Sequence, residues 1–271
     1  MSERPAGRRR RPRGRPRDTS TPAGFGEGPG GEQVEGRRAV RELLAAGRRP
    51  VRTVWLAEGS SPSPLLDEIT GLARAAGVPV RFASAGRLEE LARSAAPQGV
   101  VALAEPLRAV PLAELLARPD AFLVALDGVT DPQNLGAVAR TAETAGASGL
   151  VLRRHRSARF TPAATKAAAG AIEHLPVAIV PGLPAALDEA RRSGLWTVGL
   201  DADGPTSLFE LPVADQPLVL VLGAEGAGLS RLVRDRCEVL ARIPLWGALP
   251  SLNVSAAAAL ACFEVARRRH A

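Results

Sequence analysis

An α/β protein is predicted, on three observations. Short apolar runs alternate with helix-period segments from about residue 34 to the end of the chain. The runs in the second half, such as Phe122–Leu126 and Leu218–Leu222, are apolar on both faces, as strands of a covered parallel sheet must be. Three glycine- and polar-rich turns follow such runs, all in that half, where ligands of doubly wound sheets bind.

Residues 1–33 form a basic leader. Arg4, Arg8, Arg9, Arg10, Arg11, Arg13, Arg15 and Arg17 stand among Pro and Gly, and such a segment buries too little apolar surface to order itself. Residues 34–105 read as a small α/β unit. Gly36–Ala46 has helical spacing, Val51–Leu56 suits a strand, Ser63–Ala76 a helix, Val78–Phe82 a strand, Arg87–Ser94 a helix and Gly99–Ala104 a strand. Residues 106–120 carry Pro106, Pro111 and Pro119 around a short helix and read as a linker.

Residues 121–271 repeat the alternation on a larger scale. Strands are predicted at Phe122–Leu126, Gly149–Leu152, Val177–Val180, Trp196–Leu200, Leu218–Leu222 and Val239–Ile243. Helices are predicted at Leu135–Ala145, Thr161–Ala171, Pro184–Ser193, Leu229–Arg236 and Asn253–Arg269. A doubly wound sheet follows.

Composition narrows the function. With 46% hydrophobic residues in 271, most of the chain can build a core. No apolar run approaches the ~18–20 residues of a membrane span. Two cysteines, Cys237 and Cys262, give neither a disulfide framework nor metal-ligand spacing, so a reduced, cytoplasmic setting without a metal is expected. A net charge of +7 suits a nucleic-acid partner or simply a solvated tail. No G-x-S-x-G elbow serves a hydrolase triad.

The first turn, Asp127–Gly136, leads into a helix that Asn134 can cap and that carries Arg140. The second, Gly223-Ala224-Glu225-Gly226-Ala227-Gly228, matches neither the dinucleotide fingerprint nor the phosphate loop. Its glycines allow close backbone approach to a ligand, and Glu225 fits hydroxyls or positive charge better than phosphate. The third, Ser251-Leu252-Asn253-Val254-Ser255, opens the last helix with more hydrogen-bonding capacity than a cap requires.

In order and spacing, Asn134 to Arg140, the Gly223–Gly226 turn and Ser251–Ser255 resemble the three motifs of the SpoU/TrmH RNA 2′-O-methyltransferases. Val34-Glu35-Gly36-Arg37-Arg38-Ala39-Val40 to about Ala104 is similar to the ribosomal-protein-like substrate-binding domain of the RlmB-like branch. Only the basic leader lies outside the resemblance. It implies a SPOUT-type α/β knot, with a deep C-terminal trefoil, and a homodimer in which each site borrows from its partner. The implied cofactor is S-adenosyl-L-methionine, met by Gly223, Ile243 and Leu252. The implied catalytic set is Arg140, Asn134, Glu225, Asn253 and Ser251, and the implied substrate is RNA, a guanosine ribose of 23S rRNA. A tRNA or resistance-type rRNA methyltransferase is the alternative within the family, and a non-catalytic RNA-binding assembly factor the alternative outside it. Pro97 departs from the histidine that relatives often carry before Gln-Gly. The basic stretch Arg153–Lys166 is a candidate RNA-contact surface.

Overall fold

The computed structural model describes residues 29–94 and 96–271. The leader expected over 1–33 lies outside the described residues as far as 28. From Pro29 the chain already has partners. The Pro29 carbonyl accepts the Phe160 N–H at 3.0 Å, and the Gly31 carbonyl accepts from the Arg49 guanidinium at 3.0 Å. Residues 29–33 therefore belong to the folded part.

The first sheet takes its strands from β1 (Gln33–Glu35), β2 (Val51–Ala57), β3 (Val80–Ala83) and β4 (Val100–Ala104), with helices α1 (Arg37–Ala46), α2 (Pro64–Ala75) and α3 (Ala85–Leu91) between them. The strand order is β1-β4-β2-β3, antiparallel except for β2 and β3. Val40, Leu43 and Leu44 of α1 close over Val54 and Leu56. Apolar periodicity gives no sign of β1, because its outer residues are polar. Glu35 is fully buried there, its carboxylate accepting from the Arg93 N–H at 2.7 Å, the Ser94 N–H at 3.1 Å and Gln33 at 2.8 Å.

After α4 (Leu112–Leu116) the second sheet begins. Its elements in order are β5 (Phe122–Asp127), α5 (Pro132–Thr144), β6 (Gly149–Arg153), α6 (Pro162–Ala167), β7 (Val177–Val180), α7 (Leu183–Arg192), β8 (Trp196–Leu200), β9 (Thr206–Ser207), β10 (Leu218–Gly223), α8 (Arg231–Arg234), β11 (Val239–Arg242) and α9 (Val254–Arg269). The strand order is β7-β6-β5-β10-β8-β11-β9, and every pair is parallel. Side chains alternate between two cores. Phe122, Val124 and Leu126 face α5 and α9, while Leu123 and Ala125 face α4 and α7. The sheet is doubly wound, as the apolar runs require.

Two helices are shorter than predicted. The one expected over Thr161–Ala171 stops at Ala167, and a single 3₁₀ turn, Ala171–Glu173, follows Gly170 at φ +90°. A Cβ at Gly170 would collide with the Glu42 side chain of α1, so packing against the first unit fixes the break. The helix expected over Leu229–Arg236 keeps only Arg231–Arg234. Among the described residues, no helix is long and apolar enough to cross a membrane.

Candidate active site

Parallel pairing brings the first two turns together. Gly223 lies in register with Asp127 at the ends of β10 and β5. The buried Asp127 carboxylate accepts the Ser230 N–H at 2.7 Å, pinning the far end of the second turn to the first strand. Ala224 and Gly228 exchange backbone hydrogen bonds at 3.1 and 2.9 Å, closing a tight loop that projects Glu225. A Cβ on Gly223 would land on the Gly228 carbonyl. Gly223 therefore has to be glycine for the loop's own return, beside any close approach to a ligand.

Asn134 is not the cap of α5. Asp131 holds that place, accepting the Gln133 and Asn134 N–H groups at 3.1 and 3.3 Å. Asn134 sits in the first turn with its carboxamide free to reach out. Its Nδ2 donates to Glu225 Oε1 at 3.2 Å. From the third turn, Asn253 Nδ2 donates to the same Glu225 oxygen and to Asn134 Oδ1 at 3.3 Å. Asn253 Oδ1 meanwhile accepts the Ser255 N–H at 2.8 Å and the Ser255 hydroxyl at 2.5 Å, capping α9. One carboxamide thus starts the last helix and ties all three turns together.

Beside this cluster lies a cavity of about 410 Å³ at the carboxyl ends of β8, β10 and β11, a size typical of small-molecule sites. Gly223, Ile243, Leu252, Ser251 and Glu225, all expected from the sequence, line it. Leu200 and Asp201, at the end of β8, were missed; the rule that ligands sit beyond strand ends points to them too. Apolar side chains form most of the wall, and no lysine or arginine contributes to it. Asp201 is held by Arg234, Oδ2 to Nε at 3.3 Å. A phosphate-bearing cofactor would meet no cation here, whereas a nucleoside carrying a sulfonium meets apolar walls and no like charge. The donor set therefore fits S-adenosylmethionine.

Arg140 stands apart from the other predicted residues. Six positions after Asn134 on α5, it is exposed and opens onto a cleft against the first unit, lined also by Arg37, Arg38, Gln98 and Lys166. The basic stretch after β6 has a partly structural role: Arg153 lies 3.4 Å from Asp127 Oδ1, and Lys166 donates to the Ala96 carbonyl at 2.6 Å. Among the described residues, no group of three or more His, Cys, Asp or Glu is placed to hold a metal ion.

Comparison with known proteins agrees with this geometry. Residues 121–263 match the model of the SpoU rRNA Methylase family, and residues 33–110 that of RNA 2′-O ribose methyltransferase substrate binding. The 23S rRNA (guanosine-2′-O-)-methyltransferase RlmB of Pseudomonas aeruginosa is 40% identical over 243 residues, covering 88% of this chain and 97% of the relative. The crystal structure of the SpoU methyltransferase AviRb from Streptomyces viridochromogenes superposes with a TM-score of 0.74 at 31% identity, covering 89% of this chain and 90% of that one. The same protein in complex with AdoMet gives 0.73 at 30% identity, covering 88% and 90%. The chain belongs to the SpoU rRNA methylase family.

Proposed function

We propose that this chain transfers a methyl group from S-adenosyl-L-methionine to the ribose 2′-hydroxyl of a guanosine in 23S rRNA. One observation carries the reading: Asn134, Glu225 and Asn253, from three separated turns, form one hydrogen-bonded cluster beside a cavity free of basic side chains. The choice of rRNA is supported by the 40% identity to RlmB across both matched segments. Residues 34–105 bind the RNA, residues 106–120 link, and residues 121–271 carry the chemistry.

When bound, the cofactor supplies an electrophilic methyl. Leu222, Ile243 and Leu252 supply apolar wall to the cavity. Glu225 keeps its loop in place by accepting two amides, Asn253 positions the first turn through Asn134, and Ser251 orients the incoming ribose. Arg140 acts as a hydrogen-bond donor, since a guanidinium carries donors and no acceptor. It binds the adjoining phosphate and stabilises the alkoxide charge that develops on the 2′-oxygen. The hydroxyl proton passes to a phosphate oxygen or water.

Arg140 is absent from the lining of its own chain's cavity and opens onto the interdomain cleft, so it serves the cavity of a partner protomer. A homodimer is supported by exposed large apolar side chains in the C-terminal segment: Trp246 is 89% exposed and Leu249 77%, and Leu260 and Phe263 of α9 are exposed too. Membership of the SpoU family supports a knotted path for the C-terminal segment. The enzyme works in the cytoplasm, where its substrate is made.

Mapping 2′-O-methyl sites in total RNA with and without the gene tests the reading. One 23S guanosine should lose its mark. Loss at a tRNA site would establish the rival substrate, and no change anywhere would refute the activity.

A further inference from the structure

The two folded units are locked together by charged contacts. Arg49, 7% exposed, meets fully buried Glu173 through Nη2–Oε1 at 2.6 Å and Nε–Oε2 at 3.0 Å, and also donates to the Gly31 and Glu105 carbonyls. His174 Nε2 lies 2.8 Å from Glu42 on α1. This docking leaves a cleft of about 700 Å³ between the start of α1 and the middle of α5.

Its charge is one-sided. Arg37, Arg38, Lys166 and Arg140 line it, and Glu35 is the single acidic residue among the lining side chains. Glu35 is fully buried, its carboxylate accepts from Gln33, Arg93 and Ser94, and among the described residues it forms no ion pair with these arginines. The cations are not equivalent. Arg37 donates to the Gln98 carbonyl at 3.0 Å, and Lys166 to that of Ala96. Arg41, one helical turn further along α1, is committed to Glu42 and Glu68 at 2.7 and 2.8 Å. Among the described residues, Arg38 and Arg140 are exposed and form no ion pair, although they come from different units and line the same space. They also border an adjoining cleft with Glu42, Glu68 and Glu143, of which Glu42 and Glu68 are held by Arg41. Two solvated guanidiniums lining one groove can share an anion between them, and a planar fork suits phosphate.

We propose that Arg38 and Arg140 together clamp one backbone phosphate of the substrate RNA in this interdomain cleft, which makes Arg38 a positioning residue for the methyl transfer. The inference rests on the RNA methyltransferase reading above. It explains how the first unit influences the chemistry: the strand is registered by a pair of arginines, one from each unit, before its ribose enters the partner's cavity. Phosphate contacts of this kind fix register and carry no sequence information.

The test uses the full chain and unmodified 23S rRNA transcript, with binding measured over a series of KCl concentrations and methylation by kinetics. Arg38→Ala should weaken binding and raise KM by about tenfold, as loss of a charged hydrogen-bond pair does. It should lower the slope of log K against log salt by about 0.7–0.9 and leave kcat within about twofold. Arg38→Lys should keep the salt slope, and Arg41→Ala should behave as wild type. S-adenosylmethionine binding, followed by calorimetry, should not change in any of the three. If Arg38→Ala binds RNA with wild-type affinity and salt slope, the clamp is refuted even when methylation proceeds. If the wild type binds the transcript but transfers no methyl, the activity reading fails while the binding arm still decides the clamp.

Discussion

Asn134 and Glu225, 91 residues apart in the chain, meet with Nδ2 and Oε1 at 3.2 Å. The contact exists because β5 and β10 are neighbouring parallel strands, so the turns leaving them emerge side by side. Asn253 closes the group by donating to the same carboxylate oxygen. The cluster is held from three directions, and its chemistry is that of a scaffold: both amides are oriented by one negative charge.

Replacing that charge should therefore hurt turnover more than folding. Glu225→Gln puts a third amide where two amide donors converge. A hydrogen bond to a charged group contributes about 1.5–3 kcal/mol, so kcat/KM should fall about 10- to 100-fold. The cluster is open to solvent, and the melting temperature should barely move. Asn253→Ala removes the α9 cap as well and should cost about 1 kcal/mol of stability on top of the loss of rate. Steady-state kinetics and thermal melts of the two variants check this contrast.

Arg140→Lys separates two accounts of the arginine. If the guanidinium stabilises charge through a two-pronged contact, lysine should lower kcat by about 10²–10³, the usual effect of losing one such donor, with an unchanged pH–rate profile. A profile whose limb moves to the lysine's own titration range would show a proton-accepting role instead.

The domain lock is predicted to be essential once one half is present. Arg49→Met leaves Glu173 buried and uncompensated and should destabilise the fold by about 3–5 kcal/mol. The pair Arg49→Met with Glu173→Leu should recover most of that loss. Denaturant melts of the single and double variants provide the measurement.

Both thiols are chemically quiet. Burial, with added repulsion from Asp127, Asp201 and Glu238, pushes Cys237 up to about 12, and burial alone pushes Cys262 up to about 12. Native protein at pH 8 should react slowly with a thiol reagent until it is unfolded. The ordinary thiol value is 9.0, so the unfolded chain loses its protons first as pH rises. The stability linked to these thiols is complete below pH 9.0 and lost progressively as pH climbs towards 12. A variant with Ala at both positions should lose less stability over that interval.

Much of this was legible in the residues. Strands with two covered faces, such as Leu218–Leu222, announce themselves as apolar runs, and the three polar turns are visible because they follow those runs. What stayed hidden depends on distant partners. Strand β1 is invisible to periodicity because Glu35 is buried by hydrogen bonds from residues 93 and 94. Asn134 looks like a cap until Asp131 is seen to fill that place. The early stop after Ala167 follows from the contact of Gly170 with Glu42, more than a hundred residues earlier. Arg140 sits at the right spacing from Asn134, yet helical geometry turns it to another face. Nothing local in the sequence marks Arg49 and Glu173 as a pair.

The most direct test of the central claim is methyl transfer itself. Purified full-length chain, unmodified 23S rRNA and S-adenosylmethionine labelled in its methyl group should yield one labelled nucleotide, a guanosine resistant to alkaline cleavage at its 3′ side because its 2′-oxygen is blocked. Label on a base, or none on the RNA while the protein binds the cofactor, would contradict the account.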